Sequence, residues 1–254
     1  MSHWTYRAEH RKRPHVHPVE TPSGIVLTRD APDDHPWHHA LWFTIKFVNE
    51  ENFWEEVAPY GVLRHVNPNT VHWIRPDRET VVIVDRRSIV EADLGTDDAY
   101  AIDWSIALEP RVDVVLDRTP FTTWGGYGGL SVRGRSDWTD TRLLLDNGST
   151  HDRVVGERSG WCDLSGSVEG RAAGLLLMDG PDNARHPVPW YGSTRAETYG
   201  DEGWSNFLNA AFLWDEPLAV AAGTTVAFSF RVVVHDGAFS LERCEAEWSR
   251  WTNA

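Results

Sequence analysis

The stretch DDHPWHHALWF, residues 33–43, concentrates the side chains of this sequence that could do chemistry. It holds two acids, three histidines and two tryptophans in eleven positions. An imidazole exchanges protons near neutral pH, binds metal ions and hydrogen-bonds to hydroxyl groups. His35, His38 and His39 therefore fit metal ligation, general acid–base catalysis, binding of a polyhydroxylated ligand, or a structural role without chemistry.

A second histidine pair, His15 and His17, lies upstream, so five of the 12 histidines fall between residues 15 and 39. For a metal site, the spacing from His35 to His38 is common by chance, and neither a His-Glu-x-x-His motif nor facial-triad spacing accompanies it. We therefore expect no cofactor and no bound metal. The cluster favours acid–base or sugar-binding use.

Alternation of apolar and polar residues predicts the strand that follows the motif. In HALWFTIKFV, residues 39–48, His39 shares one face with the large apolar residues, whereas His38 and Trp42 share the other. Pro36 cannot lie inside a central strand, so the motif is a loop that leads into a strand. We expect His39 to be a hydrogen-bonded core residue, and His38 and Trp42 to line a pocket.

The same period-2 pattern recurs along most of the chain, for example at residues 226–235, and Pro, Gly, Asn and Asp separate the segments. This predicts an all-β fold, a large antiparallel β-sandwich. No linker or repeat divides the chain, so we expect a single domain over residues 1–254. Residues 1–13 are predicted to be a flexible arm, and residues 240–251 a C-terminal helix with Ser240 as its N-cap.

Composition excludes several classes of partner. The chain has 38 acidic and 24 basic residues and a net charge of −14, so nucleic acids and anionic membranes are poor partners. Cys162 and Cys244 lack Cys-x-x-Cys spacing, which argues against a zinc knuckle or a disulfide framework. There is no signal-peptide pattern and no run of 18 apolar residues, so we expect a cytoplasmic protein without a membrane partner.

Four segments of the chain resemble a known family: HPVETPSGIVLTRDAPDDHPWHHALWFTIKFVNEENFWEE, YGGLSVR, GPDNARHPVPWY and LAVAAGTTVAFSFRVVVHDG. They are similar to the bacterial methane oxygenase PmoA-like family, a family of unknown function, over about residues 14–240. The family name is not an activity, because nothing here resembles a copper-dependent membrane oxygenase. The resemblance implies a supersandwich similar to galactose mutarotases, and work beside sugar dehydrogenases in carbohydrate catabolism.

The resemblance also implies a set of site residues. The recurrent polar positions of the family match His17, Arg29, Asp34, His35, His38, His39, Trp54, Glu56, Tyr127, Arg133, His186, Trp190 and Tyr191. One departure is Ala40, where many relatives have Arg or Lys, so an anion-binding role for that position is not expected here.

A sugar site needs aromatic faces for the ring and polar groups for its hydroxyls. The aromatic candidates are Trp42, Trp54, Trp190 and Tyr191, and the polar candidates are Asp34, Arg29, Glu56 and the histidines. The other interpretation is core packing for the aromatic residues, and surface or cross-strand ion pairs for Arg133 and Glu56.

These patterns favour an enzyme that transfers protons on a sugar or glycoside, an isomerase, lyase or hydrolase. Mutarotation, epimerisation, and elimination or hydration of a keto-sugar all fit. His38 and His35 are predicted as base and acid, with His186 in reserve. A non-catalytic carbohydrate-binding protein is the alternative, and a metal-dependent oxidoreductase is the third hypothesis.

Overall fold

The computed structural model describes residues 2–9, 12–119, 127–195 and 206–253. These ranges form 20 β-strands and one α-helix. In chain order the elements are β1 (Trp4–Arg7), β2 (His15–Val19), β3 (Leu41–Ile45), β4 (Phe47–Val48), β5 (Glu51–Asn52), β6 (Val62–Asn67), β7 (Thr70–Ile74), β8 (Val81–Thr96), β9 (Ala99–Pro110), β10 (Val114–Asp117), β11 (Gly128–Arg133), β12 (Thr139–Leu145), β13 (Thr150–His151), β14 (Arg153–Arg158), β15 (Trp161–Val168), β16 (Arg171–Asp179), β17 (Pro189–Ser193), β18 (Phe207–Ala210), β19 (Leu218–Val220), β20 (Val226–Asp236) and α1 (Leu241–Thr252).

The strands form three antiparallel sheets. The first has the order β1-β2-β3-β11-β18-β17-β14, and the second, with nine strands, has the order β13-β12-β15-β16-β20-β9-β8-β7-β6. A small sheet of four strands has the order β19-β10-β4-β5. The predicted all-β antiparallel sandwich with a C-terminal helix is confirmed.

One hydrophobic core lies between the two large sheets. Strand β9 alternates as predicted, with Ile102, Trp104, Ile106 and Leu108 all in this core. Phe43 of β3 contacts Phe228 and Phe230 of β20, with ring centroids 5.6 and 6.3 Å apart, so the two layers meet directly. Residues of all three sheets share this core. The division into domains, expected to be one, stays a prediction.

Strand β3 is buried on both faces, which the alternating pattern did not predict. Leu41, Phe43 and Ile45 belong to the main core, whereas Trp42 belongs to a separate aromatic cluster. The parity inferred from the sequence is therefore confirmed, but the face expected to be polar is covered by aromatic rings. This second, smaller core is where the histidine motif leads.

The helix α1 packs on the outer face of the nine-stranded sheet. Its N-cap is Ser240, as predicted, and the Ser240 side chain accepts a hydrogen bond from the Arg243 backbone N–H. Cys244 is buried against Trp161 and Met178 of the sheet. With 12 residues, the helix in the described ranges is too short and too polar to cross a membrane.

One local expectation was wrong. Part of the predicted flexible arm is strand β1, which pairs with β2, and Arg13 at the end of the arm is only 2% exposed. Residues 24–29 contribute isolated bridges at Val26 and Thr28. Both cysteines are free and buried, as expected.

Candidate functional site

The histidine motif forms a loop closed at its base by an isolated β-bridge between Asp30 and His39. Within the loop, the backbone N–H of Ala31 donates to the His38 carbonyl (2.8 Å), and the N–H of His38 donates to the His35 carbonyl (2.9 Å). Ala40 then adopts a φ of 54°, in the left-handed region that a non-glycine residue rarely occupies. This turn precedes β3, and the adjacent side chains of His38 and His39 enter different clusters.

Asp34 is the centre of a polar network at the rim of the loop. Its Oδ2 accepts hydrogen bonds from His35 Nδ1 (3.0 Å) and from Arg133 Nη2 (2.7 Å). Burial acts to raise the pKa of Asp34, but the bonds from His35 and Arg133 outweigh it, and the pKa is lowered. An ionised carboxylate accepts hydrogen bonds only, so His35 carries a proton on Nδ1 and its Nε2 is the nitrogen able to accept another.

His38 lies behind His35, with the two rings stacked at 4.6 Å. Its other face stacks on Phe207 at 4.9 Å, and Trp42 lies 5.3 Å away. His38 is 1% exposed, and burial, followed by the charges of His35 and Arg133, places its pKa well below the ordinary value. Its Nδ1 is buried and has no hydrogen-bond partner among the described residues. Such a buried polar atom is costly unless a ligand or water satisfies it.

These histidines line a pocket of about 250 Å³, here called the histidine pocket. Trp54 and Tyr127 form an aromatic wall, stacked at 5.0 Å with an interplanar angle of 15°. Its lining residues are His35, Trp37, His38, Trp54, Glu55, Thr119 and Tyr127. Trp42 and Tyr191 pack in the aromatic cluster around it. The site therefore combines imidazoles, a carboxylate and flat apolar surfaces.

Arg13 braces the wall from inside the protein. Its Nη2 donates to the carbonyl oxygens of Phe53 (2.9 Å) and Trp54 (2.7 Å). Burial lowers the pKa of Arg13 to about 10, and Glu56 and Glu55 oppose that shift, so the guanidinium stays charged at neutral pH. The segment expected to be a flexible arm thus ends in a residue that holds the pocket wall.

His39 belongs to a second group, here called the carboxylate–histidine cluster, formed by His15, Asp30, His39 and Glu56. His39 Nδ1 lies 2.7 Å from Asp30 Oδ1, and its Nε2 lies 2.9 Å from Glu56 Oε1. The ring of His15 stacks on that of His39 at 5.0 Å. His39 is buried and hydrogen-bonded, as its position in the pattern predicted. It does not line the histidine pocket, and neither does Glu56.

Other predicted site residues lie elsewhere. His186 bonds through Nδ1 to Asp179 (2.8 Å) and stacks on Trp248 of α1 at 5.7 Å. Trp190 is buried in the main core and donates through Nε1 to the Ser159 carbonyl (2.8 Å). The partners of both residues belong to the sandwich and to α1, and neither residue lines the histidine pocket.

His17 and Arg29 also lie outside the histidine pocket. His17 lines a separate cleft with His15 and Asp30, and its Nδ1 contacts Thr28 Oγ1 at 3.0 Å. Arg29 is linked to the site through its backbone, whose N–H donates to the Arg133 carbonyl (2.9 Å). The predicted site residues near the histidine loop therefore divide between the histidine pocket and this separate cleft, whereas His186 and Trp190 belong to neither.

The sequence did not single out several residues that shape these sites. Trp37, Glu55 and Thr119 line the histidine pocket, and Asp30 joins the carboxylate–histidine cluster. Trp37 lies within the histidine motif and Glu55 follows Trp54, so proximity in sequence could have indicated both. Thr119 has no such signal, because strand β10 brings it to the pocket from a distant part of the chain.

Residues 2–249 match the model of DUF6807, a family of unknown function. A search of curated proteins found no similar sequence. Among solved structures, the chain is similar to a polysaccharide lyase at 11% identity with a TM-score of 0.41, over 98% of this chain and 34% of that one. This chain thus spans about a third of the length of that structure. The resemblance to the PmoA-like family stays a prediction.

Proposed function

The chain belongs to DUF6807, a family of unknown function, and we propose that it is a carbohydrate-processing enzyme that moves protons on a sugar ring. The observation that carries the proposal is the Asp34–His35 pair stacked on His38 in an aromatic-walled pocket. A carboxylate that orients an imidazole is a recurrent arrangement for general acid–base catalysis.

The pocket supports a single sugar ring as the ligand. Its volume of about 250 Å³ lies just below the range of about 300–1,000 Å³ typical of sites for drug-sized ligands. The Tyr127 ring, backed by the buried Trp54 on which it stacks, suits the C–H surface of a sugar, and Glu55 and Thr119 supply acceptors and a donor for its hydroxyls. A larger or fully apolar ligand fits this lining less well.

We propose the opposite proton-transfer roles to those expected from the sequence, with His35 as the base. Because Asp34 accepts from Nδ1 of His35, the Nε2 of His35 is the base, and Asp34 stabilises the imidazolium that forms. That proton comes from a sugar hydroxyl in mutarotation, or from a C–H beside a carbonyl in epimerisation or elimination. His38, one stacking distance away, donates a hydrogen bond to the neighbouring sugar oxygen.

A larger groove of about 670 Å³ lies along β8, β9 and β20. Its lining among the described residues includes Ser88, Ser105, Ser229, Asn183 and Asp182, with no histidine. Such a surface binds hydroxyl groups but lacks a paired acid and base near neutral pH. The proposed chemistry is therefore assigned to the smaller histidine pocket.

A carbohydrate-binding protein without catalysis is the second candidate, because the stacked Trp54 and Tyr127 alone would bind a sugar face. Binding alone does not need the Asp34–His35 pair. The two functions therefore differ in their dependence on His35.

Proton NMR in D₂O tests the proposal on a panel of free sugars and keto-sugars. Faster exchange between anomers reports mutarotation, and deuterium incorporation beside the carbonyl reports C–H abstraction. His35→Gln should lower the rate by about 10²–10⁴-fold with little change in sugar affinity measured by calorimetry. His72→Gln on β7, outside the pocket, is the matched control and should keep the full rate.

Two results would overturn the assignment. If His35→Gln turns over sugars at the wild-type rate, the base lies elsewhere. If the wild type binds sugars in the pocket but accelerates no exchange with any of them, the protein is the carbohydrate-binding alternative.

A further inference from the structure

We propose that the carboxylate–histidine cluster is a binding site for a divalent first-row transition metal ion. The ligands are His15 Nε2, an oxygen of Asp30 and His39 Nδ1. These donor atoms all lie within 4.8 Å of one another, although the three residues come from β2 and from the two ends of the histidine loop. The inference is independent of the proposed sugar chemistry.

The outer nitrogen of each histidine is anchored in the way that metal-binding histidines are. His15 Nδ1 lies 3.2 Å from the Arg13 carbonyl oxygen, and His39 Nε2 lies 2.9 Å from Glu56 Oε1. Acceptors at those positions hold protons on the outer nitrogens, which leaves the inner nitrogens to bind the ion. The proton that His39 Nδ1 shares with Asp30 is released to solvent when the metal enters. Glu56 is itself held by Lys12, 2.5 Å away.

The spacing suits a metal after a small movement. His39 Nδ1 lies 2.7 Å from Asp30 Oδ1, and His15 Nε2 lies 3.5 Å from Asp30 Oδ2. Around an ion with bonds of about 2.0–2.2 Å, adjacent ligand atoms lie about 3–3.5 Å apart. To hold the ion, the His39 and Asp30 atoms move apart by a few tenths of an ångström, and the two imidazoles, stacked at 5.0 Å, tilt so that both inner nitrogens point at it.

Two imidazoles and one carboxylate form a donor set that favours Fe²⁺, Co²⁺, Ni²⁺, Zn²⁺ or Mn²⁺ over Mg²⁺ or Ca²⁺ and leaves coordination positions open. Two of the ligands, His15 and Asp30, line a cleft of about 490 Å³ together with His17 and residues of β1. Water or an oxygen of a small molecule can reach the open positions from that cleft.

This proposal is the opposite of the expectation from the sequence, which was that the chain binds no metal. His15, Asp30 and His39 have no motif spacing, because the bridge between Asp30 and His39 and the neighbouring strand β2 bring them together. The histidine pair on which the sequence argument concentrated, His35 and His38, lies in the other pocket.

Cobalt titration tests the site, because Co²⁺ bound by imidazole and carboxylate gives visible absorption that the aqueous ion lacks. Full-length protein is stripped with EDTA, its fold is checked by circular dichroism, and Co²⁺ is added. We expect saturation at one ion per chain. His15→Ala should weaken binding by more than about 100-fold, and Glu56→Gln, an outer-shell change, by about 10–100-fold.

Two variants serve as controls. His17→Ala alters the same cleft without removing a proposed ligand, and His35→Gln alters the histidine pocket, so both should bind Co²⁺ like the wild type. If His39→Ala does not fold, His15→Ala and Glu56→Gln carry the test. The proposal is overturned if the folded wild type shows no saturable Co²⁺ absorption, or if His15→Ala binds as tightly as the wild type.

Discussion

Replacing His38 and His39 separately with alanine tests whether His38 belongs to the histidine pocket and His39 to the carboxylate–histidine cluster. The residues are neighbours in the chain, so damage that is not specific to their surroundings would affect both variants alike. His39 lies between two carboxylates, whereas His38 lies among aromatic rings beside the histidine pocket. The two substitutions should therefore differ in kind.

For His39→Ala the loss is electrostatic. The variant removes two hydrogen bonds to charged groups, each worth about 1.5–3 kcal/mol, and leaves two carboxylates facing the space of the ring. Glu56 is 4% exposed, but Asp30 is 28% exposed and Lys12 still pairs with Glu56, so water and the lysine compensate in part. We expect the free energy of unfolding to fall by about 3–4 kcal/mol, at the lower end for two lost hydrogen bonds to charged groups because of that compensation.

For His38→Ala the loss is one of packing. No hydrogen bond among the described residues is broken, and the ring contacts Phe207, Trp42 and His35, each contact being worth about 0.5–1.5 kcal/mol. The space opens towards the histidine pocket, where water can enter, which limits the cost of the cavity. We expect about 2 kcal/mol of destabilisation together with loss of sugar turnover.

Urea denaturation at neutral pH in the presence of EDTA measures both free energies without a contribution from bound metal, and calorimetry measures sugar affinity. His72→Ala is the control for a partly exposed histidine outside both clusters. If His38→Ala costs more stability than His39→Ala while sugar turnover persists, the assignment of the two histidines to their clusters is wrong.

Three further outcomes follow from local features. The lowered pKa of Asp34 means that its stabilising effect is present above the ordinary value of 3.8 and is lost as the pH falls through the folded value. In urea titrations, the difference in free energy of unfolding between the wild type and Asp34→Asn should thus shrink below that pH. A difference that stays constant would show that the pKa of Asp34 is not lowered by folding. Gly129 has a φ of 113°, and a Cβ there would lie 2.2 Å from the Ala210 carbonyl oxygen, so Gly129→Ala should lower the free energy of unfolding by about 2 kcal/mol or more. Gly95→Ala, at a φ of 71° with no atom within 4 Å of the added Cβ, should lower the free energy of unfolding by less. Thermal melts compare the two variants, and equal losses of stability would show that a Cβ at residue 129 does not clash with the Ala210 carbonyl. Ser240→Ala should lower the free energy of unfolding by about 1 kcal/mol, because the N-cap hydrogen bond is lost, while sugar turnover stays unchanged. An unchanged melting temperature would show that the cap does not contribute to stability.

The sequence by itself determined the strand-rich fold class, the C-terminal helix and the parity of β3. These follow from local rules, because apolar residues recur with period 2 on a half-buried strand and with the helical period on α1. His35 and His38 were likewise singled out from residue type and position, and Trp54 through the family resemblance. For these features, the residue and its neighbours within a few positions of the chain are enough to make the prediction.

Tertiary structure decided which residues meet. Arg133 pairs with Asp34 because β11 lies beside β3, and His15 meets His39 because β2 lies on the other side of β3. Strand order and loop closure depend on contacts between distant parts of the chain, which no local pattern encodes. The same applies to burial on the second face of β3, where Phe207 of β18, Tyr191 of β17 and Trp54 cover a surface that the alternation had marked as polar. That cover is what turns two adjacent histidines into members of two separate sites.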